Sequence, residues 1–431
     1  MGLLRSGVKS DLIKCLTSLD EETTRPTAPT VTAKILDGSA VVHMLSPGSS
    51  KTFGDYAANV FSSFLTRELS NVERLDVVWD TYKKDSLKNT AREKRGSGQR
   101  LLVGEHTRIP KGWANFLRDG SNKEELYHLL SSHCYSNMDL PMGKEFVITD
   151  GSEALSKTTP TENMAPYNHE EADTRIMLNL ADAVLKGHSK VILRTVDTDV
   201  VVLAISCVPK LEGLEELWVH IGTGRNHQYL ACHTISSCLG PERTHVLPLF
   251  HSFTGCDTTS SFNGRGKKTA FEAWKAYPNV TRGFEALYSG DYDRADPEIQ
   301  KFVITMYDRS CPSETVNECR KNLFTKKDRQ IDNLPPTEAA LKQHTLRAVL
   351  QAVYVWGQCL IKNQNIPCPS EWGWQKEGEV WVPLWTQSPM AAQACLDLIR
   401  CRCLKSCRNK CNCSKRQLKC TELCNCGGNC K

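Results

Sequence analysis

The chain has 431 residues, of which 40% are hydrophobic and 24% charged, and its formal net charge is +5. This composition excludes a collagen-like or wholly disordered chain, and the length predicts two or three domains. The longest uncharged apolar stretch, Ala348 to Ile361, is shorter than the roughly 20 residues that span a bilayer, so we expect no membrane segment.

The chain begins with a polar arm and continues as alternating strands and helices. Residues 1–30 end in a Thr- and Pro-rich stretch that predicts an arm or linker. Apolar runs then predict strands at 33–36, 75–79, 145–148 and 190–196, a hairpin at 217–221 and 228–232, and helices at 53–69, 170–185 and 269–277. This alternation over residues 31–289 favours an α/β fold with a mostly parallel sheet and helices on both faces.

The pattern changes after residue 289. A helix is predicted from Glu338 to Ile361, and a Trp- and Pro-rich stretch follows it. We expect residues 290–395 to form a connecting module with a small core of its own, and residues 396–431 to form a separate cysteine-rich tail.

Carboxylates recur directly after the predicted strands, at one helix start and in a Gly-rich turn. They are Asp37, Asp80, Glu170, Glu171, Asp173, Asp197, Asp199 and Asp257. The carboxyl ends of parallel strands face one crevice, where ligands bind. Carboxylates gathered there raise one another's pKa values or require cations, and Mg²⁺ suits oxygen ligands better than zinc does. For any single residue, a solvated loop acid or a helix N-cap is the alternative.

The order of these motifs over residues 31–277 resembles the flap endonuclease branch of the PIN-like nuclease superfamily. The matching segments are 35–39, 77–80, the Lys/Arg-rich stretch 83–100, 171–173, 196–199, 255–257 and 264–268. The chain departs from the family at Glu171-Ala172-Asp173, where two Glu are usual. If Asp173 lies well inside a helix, Glu170 at i−3 is a better-placed partner than Glu171, whereas the family pattern favours Glu171.

The resemblance implies a PIN-like fold and two divalent cations, Mg²⁺ or Mn²⁺, in an acidic catalytic site. Asp37, Asp80, Glu171 and Asp173 would surround one cation, and Asp197, Asp199 and Asp257 would surround the other, with Asp173 shared. It also implies DNA contacts by a basic arch and by a helix–hairpin–helix turn. The implied DNA-binding residues are Lys83, Lys84, Lys88, Arg92, Lys94 and Arg95 in the arch, and Gly264, Arg265, Gly266, Lys267 and Lys268 in the turn. A solvated basic loop is the alternative for the arch.

The tail concentrates both cysteine and positive charge. Nine of the 20 Cys lie there: Cys401, Cys403, Cys407, Cys411, Cys413, Cys420, Cys424, Cys426 and Cys430. So short a segment with so few apolar residues cannot build a core, so metal or disulfides must supply its folding energy. Because nine is odd, disulfides would leave one thiol over, whereas bridging thiolates could hold about three tetrahedral zinc ions. Residues 400–431 carry a charge of +8, and residues 1–399 carry −3.

The cysteine spacing resembles a tesmin-type CXC domain. The resemblance implies a zinc cluster with basic residues that contact DNA, here Lys405, Arg408 and Lys410, although Lys410 stands where the family often has a Tyr. A metallothionein-like metal store is the alternative. The nine Lys and Arg favour contact with phosphates.

The sequence therefore predicts a metal-dependent, structure-selective DNA nuclease with a zinc-cluster DNA-binding tail. We expect its partner to be DNA that is branched or has single-stranded ends. We expect it in the nucleus, or in the cytoplasm if the tail does not bind DNA. Two alternatives remain open: a catalytically inactive DNA or chromatin adaptor of mobile-element origin, and a PIN-type ribonuclease.

Overall fold

The chain divides into two compact units, Met1–Leu384 and Trp385–Lys431. The computed structural model describes residues 4–83, 85–88, 98–222, 224, 227–325, 333–386, 413, 419–420 and 423–426. The second unit begins at residue 385, whereas the sequence predicted a tail from residue 396. Within the described ranges, no helix is both long enough and apolar enough to cross a membrane.

An eight-stranded sheet forms the centre of the first unit. Its strands are β1 (Thr24–Arg25), β2 (Ala33–Asp37), β3 (Arg74–Val78), β4 (Glu145–Asp150), β5 (Glu153–Leu155), β6 (Lys190–Arg194), β7 (Glu216–Ile221) and β8 (Gln228–Ala231). Their spatial order is β1-β8-β7-β6-β2-β3-β4-β5. From β7 to β4 the neighbouring strands are parallel, and the strands outside them pair antiparallel. A separate hairpin pairs β9 (Trp374–Glu377) with β10 (Val380–Pro383).

Helices follow most strands and pack on the sheet. In chain order they are α1 (Asp11–Thr17), α2 (Gly38–Met44), α3 (Phe53–Tyr56), α4 (Ser63–Ser70), α5 (Trp113–Phe116), α6 (Gly120–Asn137), α7 (Ala172–Leu185), α8 (Thr198–Cys207), α9 (Cys232–Leu239), α10 (Pro241–Phe253), α11 (Lys267–Ala276), α12 (Val280–Tyr288), α13 (Tyr292–Tyr307), α14 (Val316–Thr325) and α15 (Glu338–Val349). Two π-helical turns, Ala57–Ser62 and Leu350–Val355, continue α3 into α4 and extend α15.

The two faces of the sheet bury different hydrophobic clusters. Ile35 of β2 belongs to the larger cluster, which includes side chains of α7, α8 and α10. The next residue, Leu36, belongs to the second cluster, formed mainly with α3, α4 and α6. Successive side chains of a strand point to opposite faces, so helices cover both faces. The predicted α/β fold with a mostly parallel sheet and helices on both faces is confirmed.

Two segments pack differently from the sequence expectation. Leu12 and Leu16 of α1 are 0% exposed and lie in the larger cluster, so part of the expected arm is core. Phe302 of α13 and Ala348 of α15 belong to the same cluster, so the segments 295–323 and 334–359 contribute to the main core instead of building their own. These helices are amphipathic, and the sheet layer offers their apolar stripes a surface to cover. Trp374 and Trp381 of the hairpin β9–β10 form a small separate cluster with Leu350.

Candidate metal centre

The winding of the sheet creates a crevice between β2 and β6. After β2, the chain adds β3 and β4 on one side, and it later adds β6 and β7 on the other side. Ligand crevices of open α/β sheets form at such a switch point, outside the carboxyl ends of the strands. Asp37 ends β2, Asp80 follows β3, and Asp197 follows β6, so the fold brings these three predicted residues to one place.

Each of these strand-end carboxylates accepts a hydrogen bond from the start of a helix. The amide of Ala40 in α2 donates to Asp37 Oδ1 at 3.0 Å, and the amide of Ala172 in α7 donates to Asp80 Oδ1 at 3.0 Å. The amide of Asp199 in α8 donates to Asp197 Oδ1 at 2.9 Å. Helix N-termini stabilise negative charge, so the starts of three helices hold the carboxylates in place.

A close contact locks the ends of β2 and β3 together. Gly38 follows Asp37, and a Cβ at that position would lie 2.3 Å from Cε3 of Trp79, the residue before Asp80. The Trp79 indole cannot move away freely, because it stacks on Tyr127 at 4.2 Å and donates to Ser131 Oγ at 2.8 Å. Only glycine fits there, and this contact sets the separation of Asp37 from Asp80.

The start of α7 settles which glutamate faces the crevice. The helix begins at Ala172, so Glu171 is its N-cap residue and Asp173 lies in the first turn. The i−3 argument required Asp173 to lie deeper in the helix and does not apply. Glu170 accepts a hydrogen bond from Ser86 Oγ at 2.6 Å, whereas Glu171 and Asp173 contact the same ammonium group, that of Lys88.

The remaining carboxylates come from the start of α8 and from the loop after α10. Single oxygens of Asp173, Asp197 and Asp199 lie within 4.8 Å of one another. Asp257 reaches the same place, because its Oδ1 lies 3.1 Å from Lys9 Nζ, which also contacts Asp197 and Asp199. The crevice has a volume of about 900 Å³. The structure therefore brings together all seven carboxylates that the sequence singled out as catalytic.

Burial and mutual repulsion make several of these carboxylates hard to ionise. Burial and the nearby Asp80 raise the pKa of Asp37 to about 7. Burial also raises the pKa values of Glu171 and Asp173, against the lowering effect of Lys88. Burial opposes the ionisation of Asp199 too, but the hydrogen bond from His251 and the charge of Lys9 prevail and hold its pKa below its usual range. Much of the crevice thus requires added positive charge to be fully ionised.

Two lysines supply part of that charge. Lys9 Nζ lies 3.0 Å from Asp197 Oδ1, 3.0 Å from Asp199 Oδ2 and 3.1 Å from Asp257 Oδ1. Lys88 Nζ lies 2.5 Å from Glu171 Oε2 and 3.7 Å from Asp173 Oδ2. Sequence analysis predicts Lys88 as part of a DNA-binding arch. It does not identify Lys9, which lies in the segment predicted to be an arm or linker. The apolar spacing of Leu12, Ile13 and Leu16 was the available signal that this segment is helical and packed.

His251 supports Asp199 from the side away from the crevice. Its Nε2 lies 2.8 Å from Asp199 Oδ1, and both side chains are buried. Burial lowers the pKa of His251 to about 4, so the ring is neutral at pH 7. Because an ionised carboxylate can only accept hydrogen bonds, Nε2 carries the ring hydrogen and donates the hydrogen bond to Asp199. Trp356 stacks on the imidazole with centroids 5.8 Å apart. The sequence offered no signal for this histidine.

The donor set fits hard divalent cations. The ligand atoms that the described acidic side chains bring together are carboxylate oxygens. Mg²⁺ and Mn²⁺ prefer such ligands. Oxygens that share one Mg²⁺ lie within roughly 4.2 Å of each other, so small rotations of Asp173, Asp197 and Asp199 would suffice. The raised pKa values of Asp37 and Asp173 point the same way, since a cation would offset the burial and the repulsion that raise them.

The basic residues expected to contact DNA have different environments. Lys83 and Lys268 are exposed, as are Gly264 and Gly266 just before α11, and Arg265 stacks on Tyr307. Lys267 is 3% exposed, and its ammonium donates to the carbonyl of His251 at 2.5 Å and to Thr254 Oγ1 at 2.9 Å. The Lys267 ammonium therefore donates its hydrogen bonds to acceptors at the end of α10. It is not available to contact DNA, contrary to expectation.

Several predicted DNA-binding residues lie outside the described residues. They are Lys84, Arg92, Lys94 and Arg95 of the arch, and Lys405, Arg408 and Lys410 of the tail. Five of the predicted zinc ligands also lie outside: Cys401, Cys403, Cys407, Cys411 and Cys430.

In the second unit, three of the predicted zinc ligands approach one another. The sulfurs of Cys413, Cys420 and Cys424 lie within 4.8 Å of one another, and those of Cys413 and Cys424 are 3.7 Å apart. Two thiolates on one tetrahedral zinc, at 2.3 Å each, would be separated by about 3.8 Å. Cys426 is described but is not part of this triad. The spacing suits a zinc ion held by these three thiolates and a further ligand.

Comparison with known proteins adds distant likenesses of fold. No protein-family model matches the chain, and no curated protein matches it. The T5 D15 protein co-crystallised with metal ions is 12% identical, with a TM-score of 0.39 over 76% of this chain and 91% of that one. The catalytic core of Rad2 in complex with a DNA substrate is 14% identical, with a TM-score of 0.35 over 80% of this chain and 97% of that one.

Proposed function

We propose that this protein is a nuclease that hydrolyses phosphodiester bonds in DNA with Mg²⁺ or Mn²⁺, acting on branched DNA or DNA with single-stranded ends. The observation that supports this most is the convergence of seven carboxylates in one open crevice of about 900 Å³. Four of them, Asp37, Glu171, Asp173 and Asp199, are buried, and buried acids are costly to the fold unless they have a ligand to hold.

We assign the carboxylates to two cations, and Asp173 is shared, because one of its oxygens lies within 4.8 Å of oxygens of Asp197 and Asp199. Asp37, Asp80, Glu171 and Asp173 would hold one divalent cation, and Asp197, Asp199 and Asp257 would hold the other. Two cations held there would supply a hydroxide nucleophile and would stabilise the leaving oxygen of a phosphodiester. His251 fixes the orientation of Asp199 through its hydrogen bond.

The surroundings of the crevice suit a polyanion. Lys88 Nζ lies between Glu171 and Asp173 at the crevice wall, where its ammonium would bind a phosphate oxygen once a cation neutralises the carboxylates. The exposed turn Gly264–Gly266 leads into α11, whose N-terminal amides and Lys268 suit a backbone phosphate. The zinc-binding tail, its DNA contacts and a nuclear location are parts of the same proposal.

The test is cleavage of labelled flap DNA, duplex DNA and RNA by the full chain with Mn²⁺ or Mg²⁺. We expect flap DNA to be cleaved and Asp173→Asn to reduce the rate at least 100-fold with DNA affinity retained. The control is Asp293→Asn, the same change at an exposed carboxylate of α13, which should leave the rate unaltered.

Asp173→Asn also separates a catalytic role from a structural one. Because burial raises the pKa of Asp173, the neutral variant should be at least as stable as the original chain without metal. Loss of cleavage with unchanged melting temperature supports the proposal. If the original chain cleaves neither DNA nor RNA with either metal, the nuclease proposal fails; cleavage of RNA alone would favour a PIN-type ribonuclease.

The second candidate function is a catalytically inactive DNA-binding adaptor. Lys9 and Lys88 favour it, because they already place two positive charges among the carboxylates. An adaptor would bind flap DNA with the same affinity whether or not Mn²⁺ is present, and it would cleave none of the substrates.

A further inference from the structure

The ammonium of Lys9 stands in the place of a cation. Its three contacts, at 3.0, 3.0 and 3.1 Å, join Asp197, Asp199 and Asp257, which come from two separate parts of the chain. These are the three carboxylates assigned to the second divalent cation. Lys9 thus contacts every member of that set and, together with the helix that follows it, belongs to a segment expected to be a free arm.

Lys88 does not fill the other position in the same way. It contacts Glu171 at 2.5 Å and Asp173 at 3.7 Å. Asp37 and Asp80 instead hold backbone amides and, for Asp37, the hydroxyl of Thr195 at 3.1 Å. An ion could therefore reach Asp37 and Asp80 without removing a lysine from these two side chains, whereas Lys9 contacts all three of Asp197, Asp199 and Asp257.

The chain on both sides of Lys9 is fixed. On one side, the carbonyl of Arg5 accepts a hydrogen bond from the amide of Ser261 at 2.8 Å, and Gly7 packs so closely that a Cβ there would lie 3.0 Å from Ser261 Cβ. On the other side, α1 packs on α8 and α11 through Leu12 and Leu16, which are both 0% exposed. The position of the Lys9 backbone is built into the fold.

The side chain itself can leave. Lys9 is 21% exposed, so its ammonium can turn toward solvent without moving the anchored backbone. A divalent cation bound by the same oxygens at roughly 2.0–2.1 Å could not be present at the same time as this ammonium, because both need the same space and the same ligands.

From this arrangement we infer that Lys9 is an internal competitor of the second divalent cation. The crevice takes one cation readily at the Asp37–Asp80 side. The second binds only when the Lys9 side chain leaves Asp197, Asp199 and Asp257, so its affinity is reduced by the contacts of Lys9. The inference rests on the proposed function only in assuming that the crevice binds divalent cations.

The experiment is Mn²⁺ binding to the full, zinc-loaded chain, followed by electron paramagnetic resonance of free Mn²⁺. We expect one tight and one weak site in the original chain, and at least tenfold tighter binding at the second site in Lys9→Met. The control is Lys14→Met on the same helix, since Lys14 is 80% exposed and pairs only with Asp11 among the described ion pairs; its binding curve should match the original.

Stability gives a second readout that does not depend on catalysis. Without metal, Lys9→Met leaves three neighbouring carboxylates unneutralised, so it should melt at a lower temperature than Lys14→Met and gain more from added Mn²⁺. If Lys9→Met fails to fold, Lys9→Gln serves in both measurements. Second-site affinity that is equal to or weaker than the original overturns the inference. Tighter binding in a chain that cleaves nothing would uphold it while the nuclease proposal fails.

Discussion

The two units of this chain assemble their candidate metal ligands in opposite ways. The carboxylates of the crevice are contributed by segments as far apart as Asp37 and Asp257, and a large core places them. The thiols of Cys413, Cys420 and Cys424 lie close together in the sequence. A large core can fold without the ions and position the metal ligands before any ion binds, whereas a short segment must take its folding energy from the metal. Under the proposed function, metal would be a bound ligand in the first unit and a structural part of the second.

Removing zinc is the strongest test of this difference. Structural zinc supplies on the order of 10–16 kcal/mol to small zinc domains, so a thiol-directed chelator should unfold residues 385–431 and leave residues 4–384 folded. Limited proteolysis with mass spectrometry would show new cleavage confined to the tail.

Matched cysteine variants check that zinc is responsible. Cys413→Ser should reproduce the proteolysis of the chelated tail, and Cys368→Ser, at an exposed cysteine of the first unit, should not. A tail that resists protease equally with and without chelator would contradict the comparison.

The next effect belongs to the core that holds the crevice. Arg74 and Asp76 of β3 are both 0% exposed and joined at 2.8 Å, and Asn179 of α7 donates to Asp76 Oδ2 at 2.7 Å. Asp76→Ala leaves a buried guanidinium with one carboxylate fewer, so it should cost about 3–5 kcal/mol of unfolding free energy. Urea unfolding in metal-free buffer measures this.

An exposed ion pair on the same sheet serves as the control. Lys190 and Glu216 are joined at 2.7 Å but remain 41% and 28% exposed, so Lys190→Ala should cost about 0–1 kcal/mol. If the two variants lose the same stability, the first unit does not owe its rigidity to its buried network.

The sequence predicted much of the crevice because parallel strands are buried on both faces. Their apolar runs are unmistakable, and an acid that follows such a run, as Asp37 and Asp197 do, must lie at one edge of the sheet. Lys267 also had a readable signal. It precedes Ala270, Phe271 and Trp274 at helical spacing, which places it on the buried face of α11 once that helix begins at residue 267.

What the sequence could not supply was the partner of each helix. Lys9 and His251 reach the carboxylates only because α1 and α10 dock beside α8. The amphipathic pattern of α13 or α15 shows that each must bury a face but not against what. The sequence therefore predicts a separate core for residues 290–395, whereas most of the helices described there belong to the main core.

A smaller effect should come from the contact that sets the separation of Asp37 and Asp80. Gly38→Ala places a methyl group against the indole of Trp79, and overpacking of this kind costs about 1–3 kcal/mol. Because the indole is held by Tyr127 and Ser131, part of the strain should move Asp37 and weaken Mn²⁺ binding. Thermal melts and Mn²⁺ titration measure the two effects.

The control for this variant is Gly112→Ala. A Cβ at Gly112 would have its nearest neighbour at 3.6 Å, an ordinary contact. It should alter neither quantity measurably. If Gly38→Ala lowers stability and leaves Mn²⁺ affinity unchanged, the strand ends adjust independently of the carboxylates they carry.

The smallest expected effect tests whether the protein, and not the ion, orients the ligands of the crevice. His251→Phe keeps a ring of similar size against Trp356 but removes the hydrogen bond to Asp199 Oδ1. Loss of such a supporting contact typically lowers metal affinity at least about tenfold, equivalent to about 1.4 kcal/mol. His344→Phe is the matched control, because that buried imidazole bonds the carbonyl of Phe253 and no carboxylate. Both variants should lose some stability, but only His251→Phe should weaken Mn²⁺ binding. Equal Mn²⁺ affinity in the two would mean that the ion sets the position of Asp199, as zinc is proposed to set the thiols of the tail.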